Sequence, residues 1–327
     1  MSTKSKTKMP KEHKRVKWSS VKPKPINWLW QDRIPLGKIT ILVGDTGLGK
    51  TSLAIDVAAR LTTGRPMPLC GGSTKPLIGN VIYQSNEDEV DDTLLPRCLT
   101  ARADCDRIEH IEADNLNIDE DCDIIEQNIL EAGARLVVWD PLQSFVGKNA
   151  DMCRITDIRR LLTNLGGIAA RNSCAILIIA HQTKSTSANE IHRVFGSVDI
   201  TATARSVLRV SKAENDPEIR ILSHIKSSVS RPSPPIAFRI EDNAPIQYLG
   251  EYDGDVDMTE VADDYSKRAK AAAIICGMLS VEPREAREIF RACKAAGISK
   301  RTVERVKKEL NVRSGRDGSK RIWLMDN

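Results

Sequence analysis

The chain has 327 residues, 41% of them apolar, which excludes wholesale disorder and allows more than one average domain but fewer than three. No apolar run approaches the roughly 18 to 20 residues that a bilayer span needs. The Lys- and Ser-bearing N-terminus lacks the apolar stretch of a secretory signal, so a soluble, cytoplasmic protein without a membrane partner is expected. The formal charge of +5 hides an asymmetry. Residues 1–24 carry nine Lys/Arg against one Glu, and residues 267–327 carry sixteen against seven acids. The body between them is left with a balance of about −12. Basic ends on an acidic body fit a polyanion partner, and equally a solvated tail followed by a soluble small domain.

Residues 1–24 are rich in Lys, Ser and Pro and read as a flexible basic arm. From Ile26 the pattern becomes strand–helix alternation. Apolar runs at 38–43, 80–84, 136–139 and 175–180 read as buried parallel strands, and periodic stretches such as 51–61 and 155–171 as crossover helices. The implied fold is α/β, doubly wound, with a mostly parallel central sheet over residues 25–249. Runs at 206–211, 219–225 and 236–240, separated by turn signals, predict an antiparallel extension. Residues 250–264 hold seven acids, so 250–266 reads as an acidic linker.

Residues 267–327 read as a separate small unit. Helices are expected at 267–279, at 284–296 led by Pro283 and stopped by Gly297, and at 300–310 capped by Ser299. Two β-prone pieces within 312–325 complete a winged-helix layout. The eight cysteines form no C-x-x-C pair and lack histidines at metal-ligand spacing, so reduced thiols, mostly core filler, are expected.

The most specific signal is Gly44-Asp45-Thr46-Gly47-Leu48-Gly49-Lys50-Thr51, followed by Ser52. It satisfies G-x-x-x-x-G-K-[ST] between a predicted strand and a predicted helix. Glycines let backbone N–H groups curl around phosphate oxygens, and the helix N-terminus adds positive potential. Lys50 is expected at the β- and γ-phosphates of ATP, and the Thr51 hydroxyl on Mg²⁺. Asp140 closes the next apolar strand and suits the water shell of Mg²⁺. Glu87, at the tip of another strand, suits a base or water-positioning group, with Asp88 as its possible partner or a metal ligand. His181 ends a fourth strand, where it would sense the γ-phosphate. Arg205 suits stabilisation of charge on the γ-phosphate, in its own or a neighbouring subunit, with Lys226 as the weaker candidate.

The succession Asn27-Trp-Leu-Trp, Ile34-Pro-Leu-Gly37, P-loop, Ser85-Asn-Glu87-Asp88, Trp139-Asp140-Pro141-Leu142, His181-Gln-Thr-Lys184, then Gly196-Ser197 with Arg205 resembles the RecA-like ATPases. It is most similar to plasmid RepA-type hexameric replicative helicases and their phage-borne AAA-like relatives. The resemblance spans residues 26–246. It implies a catalytic glutamate at Glu87, a Walker B acid at Asp140, a sensor at His181 and an arginine finger acting in trans at Arg205. It also implies a homohexameric ring with single-stranded DNA in its channel, held by a loop over 183–194 through Lys184, His192 and Arg193. The basic arm and the C-terminal unit depart from core-only helicases. Lys300, Arg301, Arg305, Lys307 and Lys308 crowd the last helix, and Arg313, Arg316, Lys320 and Arg321 mark the wing, as a duplex-DNA reader requires. Two readings follow: a ring-forming, DNA-stimulated ATPase or helicase of mobile-element replication, and an ATP-switched winged-helix regulator or initiator.

Overall fold

The structure is a computed structural model that describes residues 16–70, 75–113, 116–146, 155–181, 203–214, 216–254, 270–272, 274–279, 283–310, 312–317 and 320–324. A short antiparallel hairpin, β1 (Trp28–Trp30) and β2 (Ile34–Pro35), precedes the main sheet. That sheet has nine strands in the order β11-β10-β9-β8-β3-β7-β6-β4-β5. They are β3 (Ile39–Gly44), β4 (Asn80–Ser85), β5 (Ile108–Glu109), β6 (Ala134–Asp140), β7 (Ala175–His181), β8 (Ser206–Lys212), β9 (Ile219–Ser227), β10 (Ile236–Arg239) and β11 (Gln247–Glu251). Pairings from β8 through β5 are parallel, and those among β8, β9, β10 and β11 are antiparallel.

The alternation of side chains explains why the inner strands read as continuous apolar runs. On β7, Ile176, Ile178 and Ala180 enter one core while Ala175, Leu177 and Ile179 enter the other. On β6, Val137 and Trp139 oppose Leu136 and Val138 in the same way. Both faces must then be covered, as parallel sheets require. The first is covered by α3 (Cys122–Ala132) and α4 (Ile155–Asn172), the second by α1 (Lys50–Thr63), α2 (Leu95–Thr100) and the β1–β2 hairpin. On α4, Ile158, Leu161, Leu162, Leu165, Ile168 and Ala169 recur at helical spacing and are all buried. Helix α1 stops at Gly64, whose left-handed backbone (φ 66°) lets its N–H reach the Arg60 and Leu61 carbonyls.

Three expectations are refined or corrected. The runs at 206–211, 219–225 and 236–240 do pair antiparallel with one another, but β8 also joins β3 in parallel, its Val207, Leu208 and Val210 buried as an inner strand demands. The extension gains a further strand, β11, that was not expected. It runs to Glu251, two residues into the expected linker, and Tyr252 N–H still bonds Pro235 O. Tyr248 ties it inward by donating to Asp56 Oδ2 of α1 at 2.8 Å. Third, Pro283 does not lead a helix.

Beyond residue 269, residues 270–272 and 274–279 are helical and precede β12 (Arg284–Glu285), α5 (Ala286–Ala295), α6 (Lys300–Glu309), β13 (Arg313–Asp317) and β14 (Lys320–Leu324). Arg284 and Glu285 pair with Trp323 and Ile322, so hairpin hydrogen bonds replace the first helical turn expected there. The strands form an antiparallel sheet, β12-β14-β13, around its own core of Ile275, Ile289, Cys293, Val303, Val306 and Trp323. Ser299 caps α6 as expected, its Oγ accepting from Thr302 N–H at 3.2 Å. Residues 1–15 of the basic arm and residues 255–269 lie outside the described residues.

Candidate active site

Four strands deliver their C-terminal tips side by side, since β3, β7, β6 and β4 are consecutive in the sheet. Register places Gly44 beside His181 and Ser85 beside Asp140. The sheet therefore gathers the sequence-predicted groups of four separate segments along one edge, where open α/β sheets bind ligands. Only the backbone of His181 belongs to the described structure.

The loop leaving β3 must turn tightly into α1, and glycine permits it. At Gly44 (φ 153°) a Cβ would stand 2.5 Å from Val210 O, and at Gly49 (φ 85°) it would stand 2.1 Å from Ile240 Cδ1. Any side chain there would displace the loop or Ile240. Helix α1 begins at Lys50, so the amides of its first turn lack intrahelical acceptors and point toward the loop's concavity. Asp45, Thr46 and Gly47 are exposed while Leu48 anchors the loop in the core.

Lys50 is 3% exposed, and its Nζ donates to Gly44 O at 2.9 Å and Asp45 O at 2.8 Å. Burial pushes its pKa down, against the attraction of Asp140, Asp45 and Glu87, which all act on the same ammonium. The ammonium thus already sits among the predicted site residues. Asp140 is 4% exposed, and its Oδ2 accepts from the Tyr83 hydroxyl at 2.8 Å. Burial, then Asp140 itself, raises the Tyr83 pKa well above the phenol value, so the phenol stays a donor and fixes the carboxylate. The Asp140–Pro141 bond is cis.

Glu87 is exposed at the tip of β4, within electrostatic reach of Lys50. Asp88, considered as its partner, is instead bound to Arg97 Nη1 at 2.8 Å, and its N–H bonds Ser85 Oγ.

Among the described residues no three His, Cys, Asp or Glu side chains gather into a metal cage. A threonine hydroxyl at the head of α1 and one oriented carboxylate suit Mg²⁺, which is held by few protein ligands and takes its other donors from phosphates and water. The residues present therefore fit that ion: Thr51 and Asp140 would hold it.

Arg205 is not brought to this edge. Its N–H bonds Ile39 O, at the start of β3, whereas the P-loop leaves the end of that strand. The separation along β3 is about 16 Å at the usual rise of ~3.3 Å per residue, beyond the reach of an arginine side chain. Arg205 is exposed there, beside Lys226, whose Nζ donates to Ala204 O at 2.9 Å. Burial first, and Arg205 second, lower the Lys226 pKa to about 8. Lys184, His192 and Arg193 lie outside the described residues.

On α6, Lys300, Arg301 and Lys308 are exposed and Arg305 is half-buried, while Val303 and Val306 face the small core. Lys307 turns inward over the Trp323 ring, 4.8 Å from its centroid. Trp323 itself is fully buried, as expected of a core residue.

Two contributors escaped the sequence: Tyr83 and Ile240. A tyrosine in the middle of a buried strand needs a hydroxyl partner, and that was the available signal for Tyr83. Nothing local marks Ile240, which meets Gly49 only through the fold.

A parallel sheet, a glycine loop running into a helix, and an oriented acid at a neighbouring strand tip define a P-loop ATPase. The model of the AAA domain family matches residues 5–187, more than half of the chain, and the chain belongs to that family. A search of curated proteins finds no match. Among the described residues no helix is long and apolar enough to cross a membrane.

Proposed function

We propose that the chain is an ATP-hydrolysing, ring-forming motor of the RepA-type hexameric class, acting on single-stranded DNA in mobile-element replication. The placement of Arg205 carries the proposal: it stands at the edge of the sheet opposite its own P-loop and serves catalysis only from a neighbouring copy. Lys50 and the first-turn amides of α1 bind the phosphates. Thr51 and Asp140 would hold Mg²⁺, which would supply charge neutralisation at the phosphate oxygens. Tyr83 keeps Asp140 in place, and Glu87 positions the attacking water. His181 senses the γ-phosphate and leads into the 183–194 segment, where Lys184, His192 and Arg193 contact DNA. Residues 25–252 form the motor, 253–266 the linker and 267–327 a winged helix.

The test is steady-state ATP hydrolysis with and without single-stranded DNA, for wild type and Glu87→Gln. The reading expects DNA to raise turnover several-fold and Glu87→Gln to abolish it. Turnover indifferent to DNA would overturn the motor.

A second reading draws on the outward basic face of α6, which suits a helix entering the major groove of duplex DNA. There the ATP site switches assembly of a regulator or initiator. Site-specific duplex binding with negligible turnover would favour it.

A further inference from the structure

A segment and a groove of this chain complement each other. Residues 16–26 carry four exposed apolar side chains: Trp18 at 92%, Val16 at 60%, Val21 at 56% and Ile26 at 38%. A tryptophan so exposed is unusual, since large aromatic side chains are mostly buried. The other four tryptophans of the chain are half-buried at Trp28 and fully buried at Trp30, Trp139 and Trp323. Trp18 sits in a defined turn, Trp18–Ser20, closed by Ser20 Oγ donating to Lys17 O at 2.7 Å. Lys17, Lys22 and Lys24 flank it, all exposed.

The groove opens on the α1 side of the sheet, between β4, the π-helical turn Val90–Leu94, α2 and β5. Val90, Leu94, Leu95, Cys98 and Ile108 line it over Tyr83, and Val90 and Leu95 at its mouth are 45% and 40% exposed. Glu109 and His110 line it, and the segments that supply the other lining residues carry the exposed acids Glu89, Asp91, Asp92 and Asp106. On the same segments Arg97 pairs with Asp88 and Arg107 with Asp104. An apolar cleft built from acidic segments calls for an occupant that is apolar at its centre and basic at its margins.

We propose that residues 16–24 of one copy dock in this groove of a second copy, with the Trp18 indole in the cleft and Lys17, Lys22 and Lys24 against its acidic segments. In its own copy Trp18 is solvent-exposed and so not seated in a groove. The inference rests on the assembly part of the function proposed above, not on its DNA part. Each copy offers an arm and a groove, so the contact is heterologous and propagates into rings or filaments. Tyr83 lies under the cleft and its hydroxyl holds Asp140, so the docked arm sits one side chain from the catalytic carboxylate.

The experiment reverses charge on either side and then mixes. Lys17→Glu/Lys22→Glu inverts the arm, and Asp91→Lys/Glu109→Lys inverts the acidic segments. In sedimentation velocity with Mg²⁺ and a non-hydrolysable ATP analogue, each variant alone is expected to self-associate at least about tenfold more weakly than wild type. An equimolar mixture is expected to recover wild-type assembly, because every contact in an alternating assembly is again complementary. That recovery also shows that both variants fold. Acrylamide quenching of the exposed tryptophan should fall on assembly of wild type and show no such change in Trp18→Phe. Wild-type assembly of both variants, or a mixture that does not recover, overturns the arm proposal while leaving the ring. Loss of single-stranded DNA binding by the arm variant with assembly intact makes the arm a nucleic-acid contact instead. A wild type monomeric at every concentration removes the ring reading and this contact together.

Discussion

At the upper edge of the sheet β3, β7, β6 and β4 end in Gly44, His181, Asp140 and Ser85, and the chain turns through glycines into the head of α1. At the lower edge, around Ser206 and His224, the polar groups are closed into a relay. Ser233 N–H donates to His224 Nδ1 at 3.2 Å, so the proton sits on Nε2, which donates to Ser206 Oγ at 3.0 Å. Ser206 Oγ in turn donates to Arg33 O at 2.6 Å, and Ser233 Oγ to Asp32 O at 3.1 Å. One edge presents first-turn amides, an ammonium and an oriented carboxylate to a ligand. At the other, Ser206, His224 and Ser233 make their hydrogen bonds with one another and with the β1–β2 hairpin, while Arg205 stands exposed. A serine hydrogen-bonded to a buried histidine is here a structural clamp, which its closed hydrogen bonds reveal and its residue types do not.

Four measurements break or sharpen that contrast. The largest effect belongs to Lys50→Ala. It should lower ATP turnover by about a thousandfold or more, as loss of a group acting on the transferred phosphate does, while the thermal midpoint stays near wild type. Next is Arg205→Ala, expected to lower turnover roughly a hundredfold with ATP affinity little changed, read by turnover beside equilibrium binding of a fluorescent nucleotide. Tyr83→Phe removes one hydrogen bond to Asp140. Turnover should drop several-fold with a higher Mg²⁺ requirement, at a stability cost of about 1 kcal/mol.

The smallest effect concerns the lower edge and pH. Burial first, and Arg33 second, push the His224 pKa from 6.5 to about 4. The folded state therefore favours neutral imidazole, and this stability is fully present above about pH 6.5. It is lost as pH falls toward 4, where the unfolded chain gains a proton that the native ring refuses. Denaturant melts of wild type and His224→Gln at several pH values should show a slope in wild type that the variant lacks, worth on the order of 3 kcal/mol across the window. Parallel curves would show that the relay does not exclude the proton.

Much of the upper edge was legible because its chemistry is written in consecutive residues. The P-loop spacing fixes a turn and a helix start, and buried strands that run out into Asp140 and, two residues past Ser85, Glu87 mark their own tips. Adjacency of those tips depends on strand order, which no single segment carries. The placement of β8 illustrates this: it pairs β9 antiparallel and β3 in parallel, and its own residues do not mark the second partner. β11 went unread because its faces alternate between half-buried and exposed, with Tyr248 tied to Asp56 far away in sequence. Position relative to the P-loop was likewise illegible for Arg205, whose local sequence leaves its own and a neighbouring subunit equally open.

The claim that the two edges meet between copies is tested most directly by mixing Lys50→Ala with Arg205→Ala and measuring ATP hydrolysis. Each variant alone is expected to be nearly inactive. In mixed assemblies an intact P-loop from Arg205→Ala faces an intact Arg205 from Lys50→Ala, and activity should return to a substantial fraction of wild type. A mixture no more active than its components would contradict the account.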